Sequence, residues 1–547
     1  MPVVELNINR VRNLISGKTT RKQIIETLPF LGLDIESQNE EKIRIEYSPN
    51  RPDYSTEFGV SLGLQGLLGI KKGIQKFNIK KTKNYSIKVD SSVSKIRPFV
   101  TGIVAKNGSL NGDDIQQLMW MQEDLHDGIG RKRKKSSIGL HNVDKISFPL
   151  TYRTLTREHK FIPLNSNSEQ TIDEILTNTE VGQKYGCVVE NEKNVPIILD
   201  SENNTISFPP IINSALTTVT SSTKNILVEV TGIDKEAAED MLSVVVSILQ
   251  TAGFEFEELK ISGNKNSTPL FKDRTIIYEP KLTSEILGID MNISNMVTCL
   301  KKCRLDASVK GKKINCIIPR YRFDIFGPMD LVEEIALGYG IAEIEPKLSP
   351  STTIGQKNDV ILKTELIRKT AVGLGILEAF NSSLTSKKVL YDLTKRESTE
   401  IISVLDSKSQ EHTILRDSLL PGLLENLSKN IHESYPQKFF ESGVVFTKSD
   451  PINESVNFAV IISHKDTNFS EIKAVLQSIL RTSFKINLQT KTSENQEVFS
   501  EGRHADIFVN DKKIGEVGEI NSEILENFRI RTSVTGFEIK LSGLIFD

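Results

Sequence analysis

Between Pro346 and Gln356 the chain carries Pro346, Ser349, Pro350, Ser351 and Gly355, a run of breakers and small polar residues that reads as a linker. A linker there divides the 547 residues into parts with separate cores. At roughly 150 residues per domain, a chain of this length suggests about three or four domains. Hydrophobic residues at 38% supply the cores, and charged residues at 26% with a formal net charge of −2 are too balanced for wholesale disorder. The same balance excludes a global basic field, so any contact with nucleic acid must be local.

No run of about 18 apolar residues occurs, and Met1 to Arg12 carries charges where a signal peptide needs its apolar stretch. We therefore expect no membrane span, no secretion and a cytoplasmic location. The four cysteines, Cys187, Cys299, Cys303 and Cys316, form no C-x-x-C pair, so free thiols are expected, with Cys299 and Cys303 as core residues. Gly17-Lys18-Thr19 imitates the end of a phosphate-binding loop, but Arg12 stands where that loop needs its first glycine. Neither G-x-S-x-G nor H-E-x-x-H is present.

Local patterns give a coarse course of the chain. Thr20 with Gln23 reads as a capping box opening a short helix that Pro29 stops. Ile43, Ile45 and Tyr47 alternate with charged residues as a half-buried strand. Ser48-Pro49-Asn50-Arg51-Pro52-Asp53 then punctuates, with Asp53 or Ser55 capping a helix that carries Phe58, Leu62, Leu67 and Leu68, and whose Gly59, Gly63 and Gly66 suggest close packing. From about 90 to 260 short β-like runs alternate with loops; Gly128 and Gly130 before Arg131-Lys132-Arg133-Lys134-Lys135 imply a mobile basic loop. Ile314 to Ile318 reads as a strand leading through Gly327-Pro328 into an acidic helix. Beyond the linker, Ile472, Val475, Leu476, Ile479 and Leu480 have helical spacing, and Ala505 to Val509 with Ile514 to Val517 read as a hairpin around Asn510-Asp511.

Two constellations carry chemistry. Asp330, Glu333 and Glu334 fall at i, i+3 and i+4, which predicts three carboxylates on one helical face with Asp324 just upstream. Four hard oxygen donors suit Mg²⁺. The other reading makes Asp330 a helix cap, with Arg322 or Lys347 as ion partners. In Ser207-Phe208-Pro209-Pro210-Ile211-Ile212-Asn213 two prolines stiffen the backbone between a hydroxyl and an amide, and on Leu227 to Thr231 alternation turns Glu229 and Thr231 to one side. These four can form a pocket; equally, Ser207 and Asn213 can satisfy turn backbone while Glu229 is solvated.

Taken together, Ser48 to Asp53, the basic loop leading to Ile138-Gly139-Leu140-His141, Ser207 to Asn213, Arg322-Phe323-Asp324-Ile325 before Asp330 to Glu334, Leu415-Arg416-Asp417-Ser418 to Leu424, and Phe440-Glu441-Ser442-Gly443 resemble one family in collinear order. It is the β subunit of phenylalanyl-tRNA synthetase, archaeal and eukaryotic cytosolic type. The resemblance implies an α₂β₂ heterotetramer with an α subunit that activates phenylalanine with ATP and esterifies tRNA(Phe). It also implies Mg²⁺ held by Asp324, Asp330, Glu333 and Glu334. An editing pocket for misattached tyrosine is implied between the basic loop and Thr231, with Ser207, Asn213, Glu229, Thr231 and His141 as its residues and Arg131, Lys132, Arg133, Lys134 and Lys135 holding the tRNA end. An apolar pocket rejects an added hydroxyl only about a hundredfold, so a second, hydrolytic site makes physical sense.

The expected architecture is α+β and multidomain, built of mixed α/β modules: an N-terminal α/β domain (1–90), an editing domain (91–262), a B5-like domain with the acidic helix (263–346), and a class II synthetase-like antiparallel-sheet core (347–547). No arginine follows Gly536, where the family's catalytic cores end a glycine-rich ATP segment, so that last core is expected to be degenerate and non-catalytic. The bacterial form's amino-terminal oligonucleotide-binding and carboxy-terminal anticodon-binding modules are not expected here. Two other functions stand beside an editing synthetase subunit: a free-standing deacylase of mischarged tRNA, and a tRNA-binding scaffold without catalysis.

Overall fold

The structure, a computed structural model, describes residues 2–16, 19–190, 192–262, 269, 271–348, 354–398, 400–405, 407, 409–493 and 498–545. Gly17 and Lys18, and Ser349, Pro350 and Ser351 of the linker, lie outside the described residues. The chain forms two compact units, Met1–Leu348 and Ser349–Asp547. Among the described residues no helix is long and apolar enough to cross a membrane.

In the first unit, Thr20 closes its capping box with Gln23 at the start of the helix Arg21–Thr27. The strand Lys42–Glu46 lies between Val3–Asn7 and Asp34–Gln38, buries Ile43 and Ile45, and packs them on the helices Ile8–Ile15 and Glu57–Leu67. The cap of Glu57–Leu67 is Thr56, which accepts from Gly59 N–H, rather than Asp53 or Ser55. Close packing holds at all three of its glycines: a Cβ on Gly59 would lie 1.5 Å from the Asp53 carbonyl oxygen, one on Gly63 2.8 Å from the Tyr54 hydroxyl oxygen, and one on Gly66 2.1 Å from the Lys302 carbonyl oxygen.

The middle of this unit is more regular than loops joining short strands. Two long helices, Gly112–Asp127 and Lys235–Thr251, cover one face of a five-stranded sheet ordered Ile79–Lys80, Glu255–Glu258, Phe99–Lys106, Ile226–Gly232, Ser136–Asn142. Its other face packs, through Val104 and Leu227, against Leu150, Tyr152, Ile198 and Ile206 of a six-stranded sheet. Strands Ile79–Lys80 and Ser86–Val89, which precede residue 91, pair within these two sheets rather than with the N-terminal strands. A third sheet, Arg274–Tyr278, Lys313–Ile318 and Asp306–Lys310, packs on the helices Ile293–Lys302 and Pro328–Tyr339, with Cys299 and Cys316 in that core.

The second unit is built on seven strands ordered Leu377–Glu378, Gln437–Thr447, Asn453–Ser463, Val534–Lys540, Lys512–Ile520, Phe499–Val509, Gln489–Thr492; every pair is antiparallel except the first. Helices Asp359–Gly373 and Phe469–Phe484 cover one face, and Leu420–Lys429 with Ser522–Asn527 the other. The hairpin turn falls at Asn510 and Asp511, both with positive φ.

Candidate functional site: a cleft in the middle module

The strand Ile226–Gly232 buries both of its faces. Val228 and Val230 meet the helices, while Leu227, Glu229 and Thr231 turn toward the second sheet. Glu229 stands opposite Gly102 on one neighbouring strand and Gly139 on the other. The absent side chain of Gly139 makes the room that its carboxylate occupies: a Cβ there would lie 2.5 Å from Glu229 Oε1 and 2.6 Å from His141 Nε2. Glu229 is 2% exposed, and among the described residues its Oε2 has no hydrogen-bond partner.

A cavity of about 480 Å³ opens beside it, lined by Glu229, Ser207, Asn213, Arg133, Ser137 and the Phe208 to Ile212 corner, among others. Ser207 and Asn213 are register partners on the strands Thr205–Phe208 and Ile212–Asn213, and Ser207 Oγ donates to Asn213 Oδ1 at 3.0 Å. Asn213 Nδ2 reaches the Leu140 carbonyl at 3.5 Å. Ser207, Asn213 and Glu229 thus line one cleft.

Thr231 and His141 belong to the layer behind it. Thr231 shares Glu229's face, but its hydroxyl accepts from Arg97 Nε at 2.9 Å and lies 3.3 Å from Ser137 Oγ. His141 is buried, with Nδ1 2.9 Å from Thr217 Oγ1 and Nε2 3.8 Å from Glu229 Oε1. Neither borders the cavity. Arg97 was not foreseen. It is fully buried and gives its donors to neutral oxygens, the carbonyls of Thr231, Arg133 and Lys134 and the hydroxyls of Thr231 and Ser137. Burial pulls its guanidinium down to about 10.

The basic segment forms a hydrogen-bonded turn. Arg131, Lys132 and Arg133 all have positive φ, and backbone bonds from Arg133 N to His126 O and from Lys135 N to Gly130 O close it. Its five cations do different things. Arg131, Lys132 and Lys134 are exposed, and Lys135 pairs with Asp234 at 3.0 Å. Arg133 turns inward: Nη1 donates to the Pro210 and Ile211 carbonyls at 3.2 and 2.8 Å, Nη2 to Glu123 Oε1 at 2.6 Å, and the guanidinium lies 4.0 Å from the Tyr185 ring centroid. The expectation that all five reach outward to tRNA is corrected for Arg133, whose charge is spent on Glu123 and on backbone oxygens.

Glu123 and His126 support this turn from the helix Gly112–Asp127. His126 Nε2 accepts from Ile138 N–H at 2.8 Å, which leaves Nδ1 to donate to Glu123 Oε1 at 3.1 Å and fixes the ring as neutral. Burial lowers the His126 pKa below its ordinary value. Burial alone would raise the Glu123 carboxyl, but the hydrogen bond from His126 and the charge of Arg133 bring it to about 2. The only sequence cue to this support was the i, i+3 spacing of Glu123 and His126 just before the basic run.

The acidic helix Pro328–Tyr339 has another use for its carboxylates. Asp330 accepts from the Phe326 and Gly327 N–H groups at 2.6 and 2.8 Å and closes the helix start. Arg322, 1% exposed, holds Asp324 through Nε and Nη2 at 2.9 and 2.6 Å, and Glu334 through Nη2 at 2.5 Å. Arg51 pairs with Asp53 at 2.8 Å and approaches Asp324 at 3.9 Å, so the Ser48 to Asp53 motif and the acidic helix join in one buried ionic cluster. Glu334 is buried and Glu333 exposed, so the carboxylates do not share a face. Among the described residues no three His, Cys, Asp or Glu side chains are grouped to hold a metal ion. The expected Mg²⁺ ligand set of Asp324, Asp330, Glu333 and Glu334 does not fit: a guanidinium stands where the ion's charge would act, and Mg²⁺ demands a near-octahedral oxygen shell.

Residues 131–243 match a family model described as the B3/4 domain, 276–341 the tRNA synthetase B5 domain, and 344–541 the phenylalanyl tRNA synthetase beta chain CLM domain. By class, then, this is an aminoacyl-tRNA synthetase chain. The phenylalanine–tRNA ligase beta subunit of Archaeoglobus fulgidus is 35% identical over 552 residues, covering 99% of this chain and 98% of that one. That of Methanocaldococcus jannaschii is 34% identical over 553 residues, covering 99% and 100%. A solved N-terminal fragment of the phenylalanyl-tRNA synthetase beta subunit from Pyrococcus horikoshii superimposes with a TM-score of 0.59 at 27% identity, over 62% of this chain and 99% of the fragment. The chain belongs to the phenylalanine–tRNA ligase beta-subunit family.

Proposed function

We propose that this chain works in an α₂β₂ complex whose α subunit attaches phenylalanine to tRNA(Phe) with ATP, and that its own cleft hydrolyses tyrosyl-tRNA(Phe). The observation that carries the hydrolytic reading is Glu229, a buried carboxylate with an unpartnered oxygen on the wall of a cavity that also presents Ser207 and Asn213. The phenolic O–H of tyrosine supplies the donor that Oε2 lacks. Phenylalanine brings none, so its entry leaves a desolvated acceptor unmatched at a cost of about 1–3 kcal/mol.

Hydrolysis needs no protein nucleophile. Water adds to the ester carbonyl carbon, the bond to the ribose oxygen breaks, and that oxygen takes a proton, giving tyrosine and free tRNA. Ser207 and Asn213 hold the aminoacyl group so that a positioned water meets the carbonyl. Arg131, Lys132 and Lys134 are the exposed cations that meet the phosphates of the tRNA end. Thr231 and His141 hold the strands behind Glu229 rather than touch the substrate.

The second unit is read as a class II-like core without an ATP site, supported by its seven-stranded sheet covered by helices on both faces and by the lack of arginine after Gly536. Phenylalanyl-adenylate made by the chain alone would overturn this. No step is assigned to Mg²⁺ at the acidic helix. For the cleft, Asn213→Ala in the reconstituted complex should lose tyrosyl-tRNA hydrolysis while phenylalanine charging continues. Full hydrolysis by the chain without an α subunit would favour a free-standing deacylase instead.

A further inference from the structure

We propose that Arg133 is a positioning residue of the hydrolytic cleft, setting the Pro209–Pro210 corner and through it the Ser207–Asn213 pair, and is not a phosphate contact. This rests on the hydrolytic reading of the cleft and adds to it the element that couples the tRNA-facing turn to the pocket wall. Arg133 is 8% exposed although its neighbours Lys132 and Lys134 are exposed. Three consecutive left-handed residues reverse its direction, and a left-handed conformation costs roughly 1–2 kcal/mol per residue without glycine. The chain sustains that strain with no glycine at positions 131, 132 or 133, and what the turn delivers is one guanidinium to the inside.

The inward placement is fixed at both ends. On the near side, Arg97 Nη1 lies 3.2 Å from the Arg133 carbonyl, tying the turn to the strand that carries Thr231 and Glu229. On the far side, the Arg133 guanidinium reaches the Pro210 and Ile211 carbonyls, three residues after Ser207 and two before Asn213 respectively in the same corner. Glu123 and the Tyr185 ring hold its plane. Proline at 209 and 210 removes two backbone donors from that corner, leaving the Ile211 N–H, which donates to the Phe208 carbonyl, and the guanidinium contacts to the Pro210 and Ile211 carbonyls tie the corner to the turn. A shift of about 1 Å in such a corner is worth about a hundredfold in rate.

A planar fork that donates to two carbonyls and a carboxylate at once is not replaced by an ammonium. In the reconstituted complex, Arg133→Gln should lower kcat for tyrosyl-tRNA hydrolysis by about a hundredfold, with KM for tyrosyl-tRNA within about twofold and an unchanged dependence of affinity on salt. Arg133→Lys should restore only part of kcat. Arg131→Ala with Lys132→Ala should do the reverse, raising KM and reducing the salt slope by about one per lost phosphate contact. Should Arg133→Gln not fold, Glu123→Gln, which keeps an acceptor but loses the charge that holds the guanidinium, must show a lower kcat at constant KM. Raised KM with a reduced salt slope in Arg133→Gln, or full kcat in that variant or in Glu123→Gln, overturns the assignment. If the Arg133 variants keep full activity while Asn213→Ala loses it, the positioning role fails and the cleft stands. If Asn213→Ala keeps it too, the cleft itself is wrong.

Discussion

Arg322 and Glu334 form a buried ion pair, with Arg322 Nη2 2.5 Å from Oε1 and Nη1 3.4 Å from Oε2 of Glu334, and the same guanidinium holds Asp324. Breaking a buried pair by removing one partner leaves an uncompensated charge, at about 3–5 kcal/mol. Arg322→Met should therefore destabilise the chain by about that amount in urea unfolding. Wild type should unfold at the same urea concentration with Mg²⁺ or with EDTA. A midpoint raised by Mg²⁺ in wild type and insensitive to it in Glu334→Gln would contradict this. The sign of the acid limb also follows. Burial would raise the Asp324 carboxyl, but Arg322 holds it below its ordinary 3.8, so its contribution is present above that value and is lost as pH falls through the lower folded one.

His126 gives a second pH dependence, of the opposite kind. The folded chain keeps its imidazole neutral because Nε2 accepts from Ile138 N–H, and burial lowers its pKa from 6.5. Above 6.5 neither state is protonated and nothing is lost. Below it the unfolded chain binds a proton that the folded chain refuses, so stability falls with a slope of up to about 1.4 kcal/mol per pH unit from this group. Urea unfolding between pH 7.5 and 5.5 should show that slope in wild type and a shallower one in His126→Gln. Equal slopes would remove His126 from the account.

How far the sequence led can be judged residue by residue. The Thr20–Gln23 box, the Lys42–Glu46 alternation and the Asn510-Asp511 hairpin are local, and local chemistry decides them. Asp330 as a cap and Arg322 as an ion partner were also among the readings available from spacing, and those are what the structure displays. The choice between them and Mg²⁺ was not legible, because helical spacing says which residues neighbour one another but not which way the helix is rotated. Rotation put Glu334 inside and Glu333 outside. The helices Gly112–Asp127 and Lys235–Thr251 escaped notice, although Asn111 and Asp234 cap them. In the cleft, Ser207, Asn213 and Glu229 are legible as pocket candidates, whereas Arg97 is not, since its partners Arg133, Ser137 and Thr231 are distant in sequence, nor is Glu123, whose nearby His126 and Arg133 give no sign that they close on it. The inward turn of Arg133 is not legible, because five consecutive cations give no sign that one of them differs from the rest.

Gly139 tests the geometry around Glu229 without replacing a polar side chain. A methyl group there would meet Glu229 Oε1 and His141 Nε2, both within 2.6 Å, and would displace the carboxylate from the cavity wall. Gly139→Ala should fold with modest loss of stability and hydrolyse tyrosyl-tRNA at least about tenfold more slowly, with phenylalanine charging unchanged. Wild-type hydrolysis in a folded Gly139→Ala complex would show that Glu229 need not stand where it does.

The most direct measurement of the central claim is single-turnover hydrolysis of tyrosyl-tRNA(Phe) by the reconstituted complex carrying Glu229→Ala, followed beside phenylalanine charging in the same preparation. The account requires hydrolysis to fall by about a hundredfold or more while charging keeps its wild-type rate, so that tyrosine accumulates on the tRNA. Hydrolysis at the wild-type rate with intact charging would mean that this cleft does not recognise the tyrosine hydroxyl.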